Sequence, residues 1–251
     1  MKITNQYGAP DVFIKAIQGD PYDMGDADFS VTGLIQPPQI GRLRKEHEDK
    51  LSSDVRDEVW KLLGSGVHAV LEGYGEGTVE ERLFAECGGV KISGAVDLVK
   101  DGHVTDYKVT STYTVTRPLK PDWESQLNMY AWLLGQNGVE AKSLTIVTVL
   151  RDWMQSRAGK NNYPDSAIVS ISVPLWSPER QLRYVSKRVE VHTMDTTIPC
   201  TDEERWARGN TFVRCESWCN VSEFCPQWAA SARLITGYLR GGSSGKEKSN
   251  R

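Results

Sequence analysis

No apolar run in the 251 residues approaches membrane-spanning length, and the opening MKITNQYGAPDVFIKAIQGD holds no signal-peptide hydrophobic stretch. We therefore expect no membrane association and a cytoplasmic, reducing setting. Neither charge is in large excess: 30 Lys and Arg stand against 33 Asp and Glu, for a formal charge of −3. The lack of a basic surplus counts against a protein that coats nucleic acid regardless of sequence. It counts much less against an enzyme whose acids hold cations. Cysteine is limited to five residues. In a reducing setting these are better read as metal ligands or buried thiols than as disulfides. No internal repeat is visible.

What is present is ordinary in bulk. Hydrophobic residues make up 39% and charged residues 25%, which suits one sizeable globular domain with room for a small appendage. Residues 1 to about 30 are polar and rich in Gly and Asp, so we expect an irregular or short-stranded lead-in, then a turn at Pro37-Pro38. From Ser53 onward, Val55, Val59, Leu62, Leu63, Val67, Val70 and Leu71 recur with helical spacing, Ser53 or Asp54 serving as N-cap. Gly64 and Gly66 weaken the middle of that helix and suit a close backbone approach.

ERLFAECGGVKISGAVDLV reads as a strand, a Gly-Gly turn and a second strand, with Cys87 a buried strand-end thiol. TSTYTVTRPLKPD is a polar connection, and WESQLNMYAWLLGQNG a helix ending near Gly138. SLTIVTVLRDW and SAIVSISVPLW read as strands. SPERQLRYVSKRVEVHTM reads as a helix capped by Ser177, with Pro178 at its first position. The end, GGSSGKEKSNR, is linker-like. Alternating strands and helices predict an α/β domain around a mixed sheet, followed by a cysteine-rich C-terminal segment.

Chemistry concentrates in ISGAVDLVKDGHVTDYKVTS, residues 92–111. Asp101-Gly102 predicts a tight hairpin that pairs Lys100 with His103, Val99 with Val104, Leu98 with Thr105 and Asp97 with Asp106. Directly opposed Cβ atoms lie roughly 4.5–5.5 Å apart, where like charges destabilise the sheet. Lys108 shares the face of Asp106, while Val96, Leu98, Tyr107 and Val109 form an apolar face for the core. Two carboxylates so placed suit Mg²⁺ or Mn²⁺, and Lys108 beside them can position a water or stabilise charge on a phosphoryl group. The alternative is a solvated sheet face whose acids meet water or distant Arg side chains.

Other residues are more equivocal. A lone helical histidine such as His68 is commonly a satisfied core or surface residue. Gln126 and Tyr130 share a helix face, which suits either contact with a nucleotide or ordinary amphipathic packing. Cys200, Cys215, Cys219 and Cys225 lie close in sequence with no His among them. Four thiolates suit Zn²⁺ or an iron–sulfur cluster, and the lack of a CxxC pair leans towards the cluster. Free thiols in a helical segment are the alternative.

Together these residues resemble the PD-(D/E)xK nuclease superfamily, and within it the phage-encoded type of RecB-like exonuclease. VHAVLEG is similar to the family's His motif, GAVDLV to its first acidic motif, DYK to its acid-x-Lys motif and QLNMY to its Gln-and-Tyr helix. They occur in the family's order. The lead-in VTGLIQPPQIGRL and the cysteine segment extend the resemblance to about residue 228.

The resemblance implies a restriction-endonuclease-like αβββαβ core, a mixed sheet flanked by helices, at 53–195. Around it would stand a lead-in at 1–52 packing on the core, a cysteine-rich metal or iron–sulfur segment at 196–230 and a flexible tail at 239–251. The implied activity is a Mg²⁺- or Mn²⁺-dependent deoxyribonuclease, an exonuclease more than an endonuclease, in phage or bacterial recombination or repair. Its substrate would be single- or double-stranded DNA with free ends, and a recombination protein would be a candidate partner.

His68, Asp97, Asp106 and the Tyr107 carbonyl would ligate the metal, Lys108 would position the attacking water, and Gln126 and Tyr130 would line the DNA path. Glu80 or Glu81 would join the site. The four cysteines would hold a [4Fe-4S] cluster, with Zn²⁺ the alternative. Two departures stand out: no cysteine precedes His68, and the step from Cys215 to Cys219 is one residue longer than in the family. Cys200 must then be the fourth ligand. On the helix of SPERQLRYVSKRVEVHTM, Arg180, Arg183, Lys187 and Arg188 make either a solvated charged face or a contact with the DNA backbone. The competing expectations are a catalytically silent or partner-dependent DNA-binding protein of the same fold, and a zinc-binding interaction module.

Overall fold

The computed structural model describes residues 2–19, 24–75, 77–196 and 198–241. The chain divides into two compact units: Met1–Gln6, Gln36–Asp54 and Met194–Arg251 form the smaller, Tyr7–Ile35 and Val55–Thr193 the larger. It begins in the smaller unit with β1 (Lys2–Thr4) and crosses to the larger for α1 (Asp11–Gln18), β2 (Phe29–Ser30) and α2 (Val31–Ile35). α3 (Pro38–Glu46) and β3 (Ser52–Asp54) return to the smaller unit. The larger is then completed by α4 (Val55–Glu72), β4 (Thr78–Cys87), β5 (Val90–Lys100), β6 (His103–Thr110), α5 (Thr112–Val115), α6 (Pro121–Gln136), β7 (Ser143–Leu150), β8 (Ile168–Val173) and α7 (Pro178–Thr193). The smaller unit ends with β9 (Ala207–Arg208), β10 (Thr211–Phe212), α8 (Val213–Ser217) and α9 (Pro226–Gly241). The expected flexible tail falls mainly on 242–251, outside the described residues.

In the larger unit, α4, β4, β5, β6, α6 and β7 follow the order αβββαβ, and the mixed sheet flanked by helices has the restriction-endonuclease-like form. β5 pairs with β4 antiparallel along nearly its whole length, from Val90 to Val99. A strand has two edges, so the other edge of β5 is shared. β2 takes it at Ile92 and Ser93 in parallel, and β6 takes it at Leu98, Val99 and Lys100. β6 continues parallel to β7 over eight residues, and β7 pairs antiparallel with β8.

The hairpin register is the expected one, with Asp101 at φ +53° and Gly102 at φ +82° in the turn. The ladder ends at Leu98–Thr105, however, so the expected Asp97–Asp106 pair is not part of it. The two strands therefore lose their common face beyond that point. Val96 is buried as anticipated, but Leu98, Tyr107 and Val109 are half-buried, and the drier side of β6 carries Val104, Asp106 and Thr110.

The core joins Val31 and Leu34 of α2 to Ile92 and Val96 of β5, Leu127 and Leu133 of α6, and Val185 and Val189 of α7. Eight consecutive residues of α6, Leu127 to Leu134, are buried, as in a helix covered on all sides. Its buried Asn128 is satisfied, donating to Glu124 O and Pro174 O and accepting the Trp176 N–H at 2.8 Å. Gly64 and Gly66 have nothing near their missing Cβ atoms; the close approach is at Gly94, against Leu133, Tyr130 and Val31.

Ser177 caps α7 as expected, accepting the Arg180 N–H at 3.3 Å. The charged face of α7 is not uniformly solvated. Arg188 donates to Leu34 O at 2.6 Å and to Ile35 O at 3.4 Å, at the end of α2, and His192 Nε2 also stands 3.0 Å from Leu34 O. α1, in a stretch expected to be irregular or short-stranded, is a full helix. Cys87 ends β4 half-buried, 3.4 Å from Ser186 Oγ, rather than fully buried.

In the smaller unit, β1 and β3 pair in parallel. Ile40 and Leu43 of α3 pack with Leu51, Val221 and Cys225, and with the half-buried Cys200, Cys219, Phe224 and Trp228.

Candidate active site

The divergence of β5 from β6 is what builds the site. Past Leu98 the Tyr107 N–H has no ladder partner on β5, and the Asp97 carboxylate takes it instead, Oδ2 accepting at 2.7 Å. α4 brings His68 to the same place. Its Nε2 lies 2.8 Å from the Tyr107 carbonyl oxygen and its Nδ1 3.5 Å from Asp97 Oδ2. Both ring nitrogens therefore face oxygen, and a neutral ring can donate to only one of them.

Asp106, 1% exposed, is met by Lys108. The ammonium donates to Oδ1 at 2.8 Å and stands 2.7 Å from Oδ2. Oδ2 makes no well-directed hydrogen bond among the described residues, so this buried oxygen is held by the charge of Lys108 alone. Burial first, and then the negative charge of Asp106, raise the Asp97 carboxyl from 3.8 to about 6, against the lowering effect of His68.

A buried acid and a half-buried one that repel each other, with an adjacent carbonyl, form an oxygen-rich donor set of the kind hard divalent cations take. As the side chains stand, no three His, Cys, Asp or Glu residues among those described are grouped tightly enough to grip an ion. The donor chemistry fits, and the last closure would accompany binding.

Gln126 and Tyr130 do share a face of α6, where Gln126 Nε2 donates to the Tyr130 hydroxyl at 2.9 Å. Tyr130 is buried beside Gly94. The side chains of Glu80 and Glu81 lie outside the described residues.

In the smaller unit, Cys200, Cys215, Cys219 and Cys225 line one cavity of about 20 Å³. Burial, then Glu204 and the neighbouring thiols, push the Cys200 thiol up to about 12. Burial raises Cys219 as well. Cys225 Sγ accepts from Gln39 Nε2 and the Trp228 N–H, both at 3.4 Å. Gln39 is among the other lining residues; sequence spacing gave no sign of it, because it comes from α3, far from the cysteines in the chain.

No curated protein matches the chain. Among solved structures, a protein crystallised as SSO0001 is 20% identical with a TM-score of 0.53, covering 86% of this chain and 95% of its own. That likeness is one of fold. A protein of Eubacterium rectale crystallised as a candidate exonuclease is 16% identical with a TM-score of 0.35, covering 67% of this chain and 60% of its own. The model of the PD-(D/E)XK nuclease superfamily matches residues 43–226, a span that contains the acids, the lysine and all four clustered cysteines. The chain belongs to the PD-(D/E)XK nuclease superfamily.

Proposed function

We propose that the protein is a Mg²⁺- or Mn²⁺-dependent deoxyribonuclease, an exonuclease acting in recombination or repair, with Asp97, Asp106, Lys108, His68 and the Tyr107 carbonyl as its working groups. The observation that carries the reading is the convergence of the buried Asp106, the half-buried Asp97 that it repels and a lysine at the point where β5 and β6 part. The exonuclease and repair assignments rest on the likeness of the motif set to RecB-like exonucleases.

A bound divalent cation supplies charge neutralisation and lowers the pKa of water. The chain's own groups do the rest. Asp97, Asp106 and the Tyr107 carbonyl offer the oxygens, and His68 orients that carbonyl from α4. Lys108, held by Asp106, positions the attacking water and offsets charge gathering on the phosphoryl oxygens. Gln126 would line the DNA path, while the expected second lining residue, Tyr130, is buried and accepts from the Gln126 amide.

The four cysteines are proposed to hold a [4Fe-4S] cluster in preference to Zn²⁺. Support comes from the thiols lining one cavity, from N–H donors at Cys225 and from Arg214 beside Cys200 and Cys219. Binding there would fasten the smaller unit, its binding energy being folding energy.

The test is degradation of end-labelled linear and closed-circular DNA, single- and double-stranded, with Mg²⁺ or Mn²⁺. Linear substrate should be lost and circles spared, and Asp106→Ala should abolish cleavage while keeping its melting profile cooperative. Metal-dependent cleavage surviving in Asp106→Ala would overturn the assignment of the acids, and cut circles would overturn the exonuclease reading.

A further inference from the structure

Beyond the acids, the larger unit carries cations laid on aromatic rings where the catalytic strand ends. The Arg151 guanidinium sits 4.2 Å from the centre of the Trp60 ring, the Lys120 ammonium 5.0 Å from Trp123 and the Arg117 guanidinium 4.7 Å from Tyr113. These pairs are linked. Arg151 directly follows β7, and its N–H donates to Thr110 O, the last residue of β6, at 2.9 Å. The Lys120 ammonium is held below the ordinary range by burial first, opposed by Asp122, with a smaller lowering from the nearby Arg151 guanidinium. Asp152 anchors the start of α5 and so Tyr113, accepting the Thr112 N–H at 2.6 Å and its hydroxyl at 3.1 Å.

The row begins near the acids. Thr148 is level with Lys108 across β6 and β7, so Arg151 comes three residues later, about 10 Å of strand. Trp60 precedes His68 on α4 by eight residues, about 12 Å of helix. Two elements of the site thus run to the same ring–cation pair.

Folding does not account for this arrangement. Trp60 and Tyr113 are each 52% exposed. Among the described residues, none of Arg151, Lys120 and Arg117 has a carboxylate within ion-pair distance. Cations set together with none of them in an ion pair, although Asp122 lies near Lys120, can take an anion. The exposed rings among them ask that this anion also present flat apolar faces. Phosphates with unstacked bases meet both demands, whereas a duplex keeps its base faces inside.

We infer that Trp60, Arg151, Lys120, Tyr113 and Arg117 bind single-stranded DNA beside the scissile bond, a base stacking on the Trp60–Arg151 pair and flanking phosphates meeting Arg151 and Lys120. This rests on the nuclease reading above and names its substrate class: a single strand or a frayed end. The five hold the strand and take no part in breaking the bond.

The test uses the full chain with divalent metal withheld, reading fluorescence anisotropy of a labelled oligothymidine and of a blunt duplex of equal length. Trp60→Ala should weaken oligothymidine binding by roughly 5- to 150-fold, the worth of one stacked base. Trp60→Phe, which keeps a ring, should retain most of the affinity. Arg151→Gln should reduce the slope of log affinity against log salt by about 0.7. Duplex binding should change by less than about 3-fold, since no base is free to stack. Unchanged oligothymidine affinity in both Trp60→Ala and Arg151→Gln would overturn the inference, as would an equal loss on duplex. The nuclease reading fails separately: if wild type cleaves nothing while the Trp60 effect persists, the single-strand site stands without it.

Discussion

Replacing Asp97 by Asn removes a charge that the fold opposes. Its carboxyl is raised from 3.8 to about 6 by burial and then by Asp106. Between those values the folded chain keeps a proton that the unfolded chain has released, so stability falls as pH rises through the window and stays low above it. At about 1.4 kcal/mol per pH unit, the penalty above about pH 6 is on the order of 3 kcal/mol. Asn retains an oxygen to accept the Tyr107 N–H.

The variant should therefore match wild type near pH 4 and exceed it by about 2–3 kcal/mol near pH 8 in the presence of a chelator. At roughly 2–4 °C per kcal/mol for a chain of this size, that is a rise in Tm on the order of 5–10 °C. Urea and thermal unfolding of both proteins across this pH range would read it. Added Mg²⁺ or Mn²⁺ near pH 8 should lift wild type towards the variant, because a cation bound only to the folded state takes over the compensation. Unfolding curves that stay parallel from about pH 4 to pH 8 would refute the reasoning, since the carboxyl would then ionise alike in both states.

Gly94→Ala places a Cβ 2.8 Å from Leu133 Cδ1, 2.9 Å from Tyr130 Cε1 and 3.0 Å from Val31 Cγ2. Overpacking of this kind should cost about 1–3 kcal/mol, read as a lower urea midpoint; an unchanged midpoint would mean the core yields more easily than its spacing implies. Cys225→Ser removes a buried thiol that accepts two N–H donors in the cysteine cavity. Iron or zinc measured by elemental analysis should fall well below the wild-type ratio, with loss of any visible absorption, and full retention would count against a four-thiol site.

Much of the larger unit was legible because its signals are local. Asp101-Gly102 sets a two-residue turn, Gly88-Gly89 another with φ of +58° and +76°, and the β-branched runs of β7 and β8 are bounded by loops. The reading went astray where a distant strand decides the outcome. β2 occupies part of the edge of β5, and nothing in the hairpin's own residues announces that the ladder with β6 stops at Leu98. The face assigned to Val96, Leu98, Tyr107 and Val109 followed from a longer ladder. α1 was missed although its eight residues carry a pronounced apolar face, because the run is short and its flanks are polar and rich in Gly and Asp. Arg188 looked like one more surface cation, and only its partner on α2, 154 residues earlier, gives it a structural task. The approach of His68 to the acids is likewise a matter of where α4 docks, which spacing along the chain does not encode.

That last bond of Arg188 also sets an order of events during synthesis. α2 has five residues, far short of the ~12–15 that sustain an isolated helix in water. Its final carbonyls, on Leu34 and Ile35, find their donor in α7. At ribosomal rates of about 5–20 residues per second, the 154 residues between them correspond to roughly 8–30 seconds. For that interval the segment bearing Val31 and Leu34, both core residues, has emerged without the donor of its final carbonyls, although its neighbours on β5 and α6 follow sooner, and a chaperone or a nascent-chain contact has that long to shelter it.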